Sequence, residues 1–175
     1  MAKSIVQKDT KIKNLTMAGI MAALITLMTA YICHVPVGVN GGYIHLGDAI
    51  IYLAAALLPK PYALAAAAIG GGLADLMTAP MWAPATIIIK MLLVLPFTSH
   101  SGKIVRPRNI IATVAGYLIS GLGYFVAEYI IFGTWAAFFV SMGQTLIQSA
   151  GSAVVFLLLG GAFDKANVKT RFFRI

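Results

Sequence analysis

Charged residues are scarce in this sequence: Asp, Glu, Lys and Arg together make up 10% of its 175 residues, and only 5 of them are acidic. A soluble domain carries about 25% charged residues, so the composition argues against a water-soluble globular protein. Cysteine is also nearly absent, and the single Cys33 excludes an internal disulfide. The chain has no G-x-x-x-x-G-K-[ST] motif, so we expect it not to hydrolyse ATP itself. Its histidines form no H-E-x-x-H motif, and we expect no metal and no cofactor.

Apolar residues dominate instead, at 60% of the chain, with a mean hydropathy of +0.90. They form six runs separated by proline, glycine or charge, as is typical of membrane-spanning helices. We therefore predict an all-α membrane protein with six transmembrane helices in one integral membrane domain, residues 1–175. Its parts are a cytoplasmic N-terminal segment (1–14), a six-helix bundle (15–163) and a basic cytoplasmic tail (164–175). The predicted spans are 15–33, 46–58, 62–78, 84–99, 109–132 and 138–163.

The net charge of +8 is distributed in a way that suits membrane topology better than nucleic-acid binding. In the six-span arrangement, 12 of the 13 basic residues fall on one side of the membrane, and only Lys90 falls inside a span. Positively charged loops face the cytoplasm, so both termini are predicted to be cytoplasmic in a multi-pass protein of the bacterial plasma membrane. The flanking residues are Lys3, Lys8, Lys11, Lys13, Lys60, Lys103, Arg106, Arg108, Lys165, Lys169, Arg171 and Arg174.

Four ionisable side chains lie in the predicted spans, on four different helices: Asp48, Asp75, Lys90 and Glu128. All four fall in the outer half of the bundle; at 1.5 Å per residue, Asp75 and Lys90 lie about 6 and 9 Å below the outer boundary. A charge in the bilayer is costly unless it is paired or hydrated, so such a residue indicates a functional site. Alternatively, Asp75 and Lys90 form a salt bridge that serves only packing. That pairing would leave Asp48 and Glu128 without a basic partner in the membrane.

Aromatic and polar side chains are predicted at the same depth. Tyr43, Trp82 and Tyr124 are each typical of an interfacial aromatic belt, but together they would offer stacking faces to a flat ring. Three carboxylates against one lysine disfavour a polyanionic ligand and favour a neutral or cationic one rich in N–H or O–H donors. Whether Lys90 contacts the ligand or only holds Asp75 stays open. The predicted binding residues are Tyr43, His45, Asp48, Asp75, Trp82, Lys90, Tyr124, Glu128, Gln144 and Gln148.

The first span carries small residues at four-residue spacing, namely Ala18, Ala22, Thr26 and Ala30. Such a stripe lets another helix approach closely, either within the bundle or on a partner protein. The segment GVNGGY, residues 38–43, lies on the outer side and would form a flexible lid over the pocket.

Four segments in this order resemble one transporter family: YIHLGDAIIYLAAALL, GGGLADL, APATIIIK and GYFVAEYIIFG. They resemble the substrate-binding S components of energy-coupling factor (ECF) vitamin transporters, of the riboflavin, hydroxymethylpyrimidine, pyridoxine or queuosine-precursor type. The resemblance implies six helices, cytoplasmic termini and an outward-opening ligand pocket capped by the loop near residues 35–45. It also implies that Ala18 and Ala22 dock onto a membrane coupling subunit that carries two ATPase subunits.

The predicted function is therefore that of a transport subunit, not an enzyme, which binds a small heteroaromatic micronutrient in the lipid bilayer. Pyridoxine or hydroxymethylpyrimidine is the favoured ligand, a queuosine-type deazaguanine comes next, and riboflavin is less favoured because of its size. Two alternatives stay open. A stand-alone proton-coupled carrier would use Asp48 or Glu128 as its proton site, and an intramembrane enzyme would use Asp48, Asp75 and Glu128 in its chemistry.

Overall fold

The computed structural model describes residues 2–32, 34–37 and 42–172, and most of them are helical. Long helices pack into one bundle, and a small antiparallel hairpin connects the first two helices, with Val35 opposite Ile44. In chain order the elements are α1 (Ala2–Ala30), β1 (Val35–Val37), β2 (Gly42–Ile44), α2 (Gly47–Leu57), α3 (Lys60–Thr78), a 3₁₀ turn (Pro80–Trp82), α4 (Ala83–Val94), α5 (Pro107–Phe132), α6 (Ala137–Lys165) and α7 (Val168–Phe172).

Helices occupy all six predicted positions, and their ends follow the expected chemistry. Proline stands in the first turn of α3, α4 and α5, where its missing N–H leaves no hydrogen bond unmade. Gly133 ends α5 with a φ of 68°, a left-handed conformation that glycine adopts without strain. Residues 2–14 of the N-terminal segment are helical, since α1 already begins at Ala2. Its basic and polar residues continue the helix because no glycine or proline interrupts it before Gly19.

Among the described residues, three helices are long and apolar enough to cross a membrane: Thr10–Ala30, Pro107–Phe132 and Phe138–Lys165. The number of six spans stays a prediction. Helix α2 has only 11 residues, about 17 Å at 1.5 Å per residue, and every one of them is buried. A helix that is apolar on all sides belongs inside a bundle, and α2 contacts α1, α3, α4 and α6. Most of the hydrophobic core therefore surrounds α2.

The small-residue stripe of α1 packs against α3. A side chain at Gly70 would come within 2.7 Å of the Ala22 carbonyl oxygen and of Ile25, so glycine is required for this close approach. Thr26 donates a hydrogen bond to the Gly70 carbonyl oxygen at 3.1 Å. Ala18 and Ala22 are only 5% and 7% exposed. The structure therefore corrects the expectation that these two alanines face a partner, and supports the alternative of packing within the bundle.

At the other end of the bundle, side chains fix the connection between α4 and α5. The Asn109 amide oxygen accepts the Thr98 N–H at 2.9 Å, and its nitrogen donates to the carbonyl oxygens of Thr98 and Ile104. Asp164 accepts the N–H groups of Ile104 and Val105 at 2.7 and 2.9 Å. The predicted tail is therefore partly structural: residue 164 belongs to α6 and holds the α4–α5 connection.

Candidate ligand-binding site

A buried ion pair joins α2 and α4. The Lys90 ammonium lies 2.6 Å from Asp48 Oδ1, and the two side chains are 1% and 0% exposed. Gln148 of α6 donates from Nε2 to the second Asp48 oxygen at 2.9 Å. We call Asp48, Lys90 and Gln148 the floor. This pairing corrects two expectations: the lysine pairs with Asp48 rather than Asp75, and Asp48 does have a basic partner. The reason is that α2 lies centrally, against both α4 and α6.

His45 lies directly above the floor, between β2 and α2. Its backbone N–H donates to Gln148 Oε1 at 3.3 Å, and its ring Nδ1 accepts the Gly47 N–H at 3.0 Å. Because Nδ1 accepts a hydrogen bond, the ring proton is on Nε2 in the neutral imidazole. Burial and the nearby Lys90 charge lower the pKa of His45 to about 3. His45 therefore stays neutral and offers one N–H donor.

The strand residue Tyr43 connects the hairpin to α3. Its hydroxyl donates to Asp75 Oδ1, and the Thr78 hydroxyl lies 3.4 Å from the Tyr43 oxygen. Burial and the Asp75 carboxylate raise the pKa of Tyr43, which keeps the phenol protonated as a donor. The His34 ring stacks on Tyr43 with 4.0 Å between centroids and 26° between planes.

Glu128 of α5 faces α6. The Ser141 hydroxyl donates to Glu128 Oε2, which joins the C-terminal end of α5 to the N-terminal end of α6. Glu128 is buried, and no basic residue lies within ion-pair distance of it in the described part of the chain. Glu128 is therefore held by a hydroxyl group in this arrangement, and its role in binding stays a prediction.

Two aromatic rings flank this region. Trp82 and Tyr124 meet edge to face, with centroids 6.2 Å apart and planes at 71°. The Tyr124 hydroxyl shares a 3.0 Å hydrogen bond with Thr86, and Lys90 Nζ lies 5.5 Å from the Tyr124 ring centroid. Trp82 is 4% exposed, yet its indole N–H has no hydrogen-bond partner among the described residues. A buried donor without a partner is rare in proteins.

These side chains enclose a pocket with an empty volume of about 530 Å³, including the part that opens to solvent. Asp48 and Lys90 do not line it, because they lie below it in the floor. The lining residues are Tyr43, His45, Asp75, Trp82, Tyr124, Glu128, Ser141, Gln144, Thr145 and Gln148.

Comparison with known proteins identifies the family. The sequence model of the family named ECF-type riboflavin transporter, S component, matches residues 9–165, nearly the whole chain. This chain belongs to that family. It is thus the substrate-binding subunit of an ECF transporter, a membrane transport subunit and not itself an ATPase. An uncharacterized protein from Pyrococcus woesei is 30% identical to this S component over 111 residues, which are 63% of this chain and 75% of the relative.

The S component brings together eight of the ten residues that the sequence predicts for binding, and adds Ser141 and Thr145. Both added residues were missed because small hydroxyl side chains are common in membrane helices and indicate little alone. Their spacing is informative, however: Ser141, Gln144, Thr145 and Gln148 recur at three- and four-residue intervals, which places them on one face of α6. Of the predicted lid, residues 38–41 lie outside the described residues, while Tyr43 reaches the pocket.

Proposed function

We propose that this S component binds an amino-substituted nitrogen heterocycle of the size of hydroxymethylpyrimidine or a queuosine-type deazaguanine base. The observation that carries the proposal is the charge of the pocket lining: two carboxylates, Asp75 and Glu128, and no lysine or arginine. The single nearby ammonium, Lys90, is neutralised below by Asp48. Such a lining repels phosphates and attracts groups that donate hydrogen bonds.

Each pocket carboxylate has hydrogen-bond acceptor positions left for a ligand. An ionised carboxylate offers about four lone-pair positions. Asp75 accepts a hydrogen bond from Tyr43 and Glu128 accepts one from Ser141, so the protein orients both, and neither forms an ion pair among the described residues. Hydrogen bonds to a charged acceptor are about twice as strong as neutral ones. An exocyclic amino group, which supplies two N–H donors, suits such acceptors.

Two N–H groups of the lining are hydrogen-bond donors and call for acceptors on the ligand. His45 Nε2–H and the unpartnered Trp82 indole N–H are donors in the lining, and they need acceptors such as ring nitrogens or a ring carbonyl. A ring nitrogen beside an amino group combines acceptor and donor on one edge, as in aminopyrimidines and deazaguanines. The Trp82 and Tyr124 rings would contact the ring faces. Pyridoxine lacks this amino edge, and riboflavin presents a carbonyl and N–H edge together with a larger ring system.

Uptake in this proposal follows the scheme that the resemblance implies: binding from the outer side and release driven by ATP hydrolysis in partner subunits. The coupling subunit would dock on the exposed side of α1 rather than on the buried Ala18 and Ala22. Gly19 and Ala23 are exposed at four-residue spacing there, and nothing lies within 4 Å of a side chain placed at Gly19. Gly19→Leu should therefore reduce co-purification with the ATPases, whereas Gly161→Leu, at an equally open glycine of α6, should not.

The deciding experiment identifies the small molecule that co-purifies with the protein by mass spectrometry. Calorimetric titration then compares hydroxymethylpyrimidine, a deazaguanine base, pyridoxine and riboflavin. Asp75→Asn and Glu128→Gln should each weaken binding of the preferred compound by about 10- to 100-fold, the value of a hydrogen bond to a charged group. Asp9→Asn, in the N-terminal stretch, is the matched carboxylate control and should bind like the wild type.

Unchanged affinity in both pocket variants would contradict the proposal. Binding of riboflavin or pyridoxine in preference to both amino heterocycles would contradict the choice of ligand. Transport by the isolated chain that collapses with the proton gradient would favour the stand-alone carrier, and a chemically altered product would favour an enzyme.

A further inference from the structure

A second pocket lies at the opposite end of α3 from the ligand site. It has an empty volume of about 620 Å³, including its open part. Lys60 opens α3 at this end, 15 residues before Asp75, which corresponds to about 22 Å along the helix. The two pockets share no residue. We call this second one the basic pocket, and its lining consists of Lys60, Phe97, Thr98, Ser99, His100 and Arg108.

The two cations of the basic pocket are held by uncharged groups. Lys60 Nζ donates to the carbonyl oxygens of Leu95 and Phe97 at 2.7 and 3.2 Å. Arg108 Nε donates to the Pro96 carbonyl oxygen at 3.4 Å. These hydrogen bonds position the ammonium and guanidinium groups beside residues 95–97, after α4, without neutralising their charges. No carboxylate is among the residues that line this pocket.

The basic pocket therefore retains a net positive charge and unused donors. A guanidinium carries five N–H groups, and the Arg108 bond to Pro96 uses one of them. Ser99 adds a hydroxyl group to the lining. The helices α3 and α5 both begin here, and the partial positive charge of each helix N-terminus adds to that of the side chains. An arginine with hydroxyl neighbours is well suited to a phosphate group.

Apolar surface adjoins the basic pocket. Leu95, at the end of α4, is 47% exposed, and Ile111, one turn into α5, is 68% exposed. Leu92 and Ile110 are exposed beside them. In a membrane protein such side chains contact lipid tails. A molecule that fills the pocket with a phosphate would therefore extend along a hydrocarbon-facing surface, which a soluble phosphate cannot use.

We propose that the basic pocket binds the phosphate headgroup of an anionic phospholipid, whose acyl chains lie along Leu95 and Ile111. Basic pockets between membrane helices on the cytoplasmic side are known to hold such headgroups. The pocket also lies among the basic loop residues that the charge distribution predicts to be cytoplasmic. This inference does not depend on the identity of the transported ligand.

The test measures lipid retention by native mass spectrometry after exchange into micelles that contain phosphatidylglycerol or phosphatidylcholine. The wild type should retain phosphatidylglycerol preferentially. Arg108→Gln should lower that preference about fivefold, as expected for one cation near an anionic surface. Lys103→Gln removes an exposed charge from the same connection but not from the pocket, and should have no such effect. Titration of the heterocycle site in Arg108→Gln should be unchanged, which separates this test from that of the proposed function.

A second measurement uses the wild type alone, so that its result does not depend on how well a variant folds. Thermal unfolding of the wild type should shift upward with phosphatidylglycerol, but not with phosphatidylcholine, inorganic phosphate or glycerol phosphate at equal concentration. Equal retention of the two lipids would overturn the proposal, as would an equal loss in Lys103→Gln. Equal stabilisation by inorganic phosphate would assign the pocket to a soluble anion and would overturn the lipid assignment.

Discussion

The floor and the wall of the ligand pocket use the same chemical groups in opposite ways. In the floor, the Asp48 carboxylate is covered by the Lys90 ammonium and the Gln148 amide and does not reach the cavity. By the wall we mean the lining residues outside the floor, and in it Asp75 and Glu128 each accept a hydrogen bond from a hydroxyl group and line the cavity. The partner of a buried carboxylate thus decides whether it only stabilises the fold or can also bind a ligand. Its depth in the bundle does not distinguish the two.

The difference has an energetic basis. Removing two charges from water is costly, and the attraction between Asp48 and Lys90 offsets that cost only while both are present. A carboxylate that lines a pocket open to solvent keeps part of its hydration and does not require a neighbouring cation. The floor should therefore respond to mutation through stability, and the wall through binding.

The largest effect is expected from Lys90→Met. This change leaves the Asp48 carboxylate buried without its cation, and should destabilise the fold by about 3–5 kcal/mol. Thermal unfolding in detergent, followed by circular dichroism, measures the loss. The double variant Asp48→Asn/Lys90→Met removes both charges and should recover much of the stability. A double variant as unstable as Lys90→Met would show that the ion pair is not the source of the effect.

An intermediate effect is expected from acid. At about pH 7.5 and above, His45 is largely neutral in both the folded and the unfolded chain. As the pH falls, the unfolded chain binds a proton that the folded chain, with a His45 pKa of about 3, does not bind. Stability should therefore be full at about pH 7.5 and above, and decrease by about 2 kcal/mol at pH 5.

The control for this prediction is His45→Asn, whose side-chain oxygen can accept the Gly47 N–H in place of Nδ1. Unfolding temperatures measured from pH 8 to pH 5 should fall more steeply in the wild type than in this variant. The same pH dependence in both proteins would exclude His45 as the titrating group.

The smallest effect is expected from Trp82→Phe in the wall. Phenylalanine keeps an aromatic face but lacks the N–H that has no protein partner. Binding of the co-purifying compound should weaken about fivefold, equivalent to one hydrogen bond of about 1 kcal/mol, while the unfolding temperature stays nearly constant. Tyr124→Phe, which loses a hydroxyl already bonded to Thr86, serves as the comparison. Unchanged or tighter binding in Trp82→Phe would show that the indole N–H does not meet the ligand.

Much of the site was predictable because bilayer energetics make polar residues conspicuous. Asp75, Glu128, Gln144 and Gln148 are unusual in apolar helices, and their predicted depth grouped four residues that line one pocket in the structure. Ser141 was not predicted, since a hydroxyl costs little in a helix and carries no comparable signal. The pairing of charges was predicted wrongly, because closeness along the chain favoured Asp75 for Lys90 while the actual partner lies 42 residues away.

The sequence by itself determined the class of protein and the six helix positions, because hydrophobic length, proline and glycine act locally. Only the tertiary structure decided which carboxylate Lys90 neutralises, which side of α1 is covered and which side chains reach the cavity. Those features depend on the rotation of each helix about its axis and on its neighbours, above all on the central position of α2. Packing between distant segments sets these rotations. Because each helix is apolar on nearly all sides, its sequence pattern does not indicate which side faces the bundle.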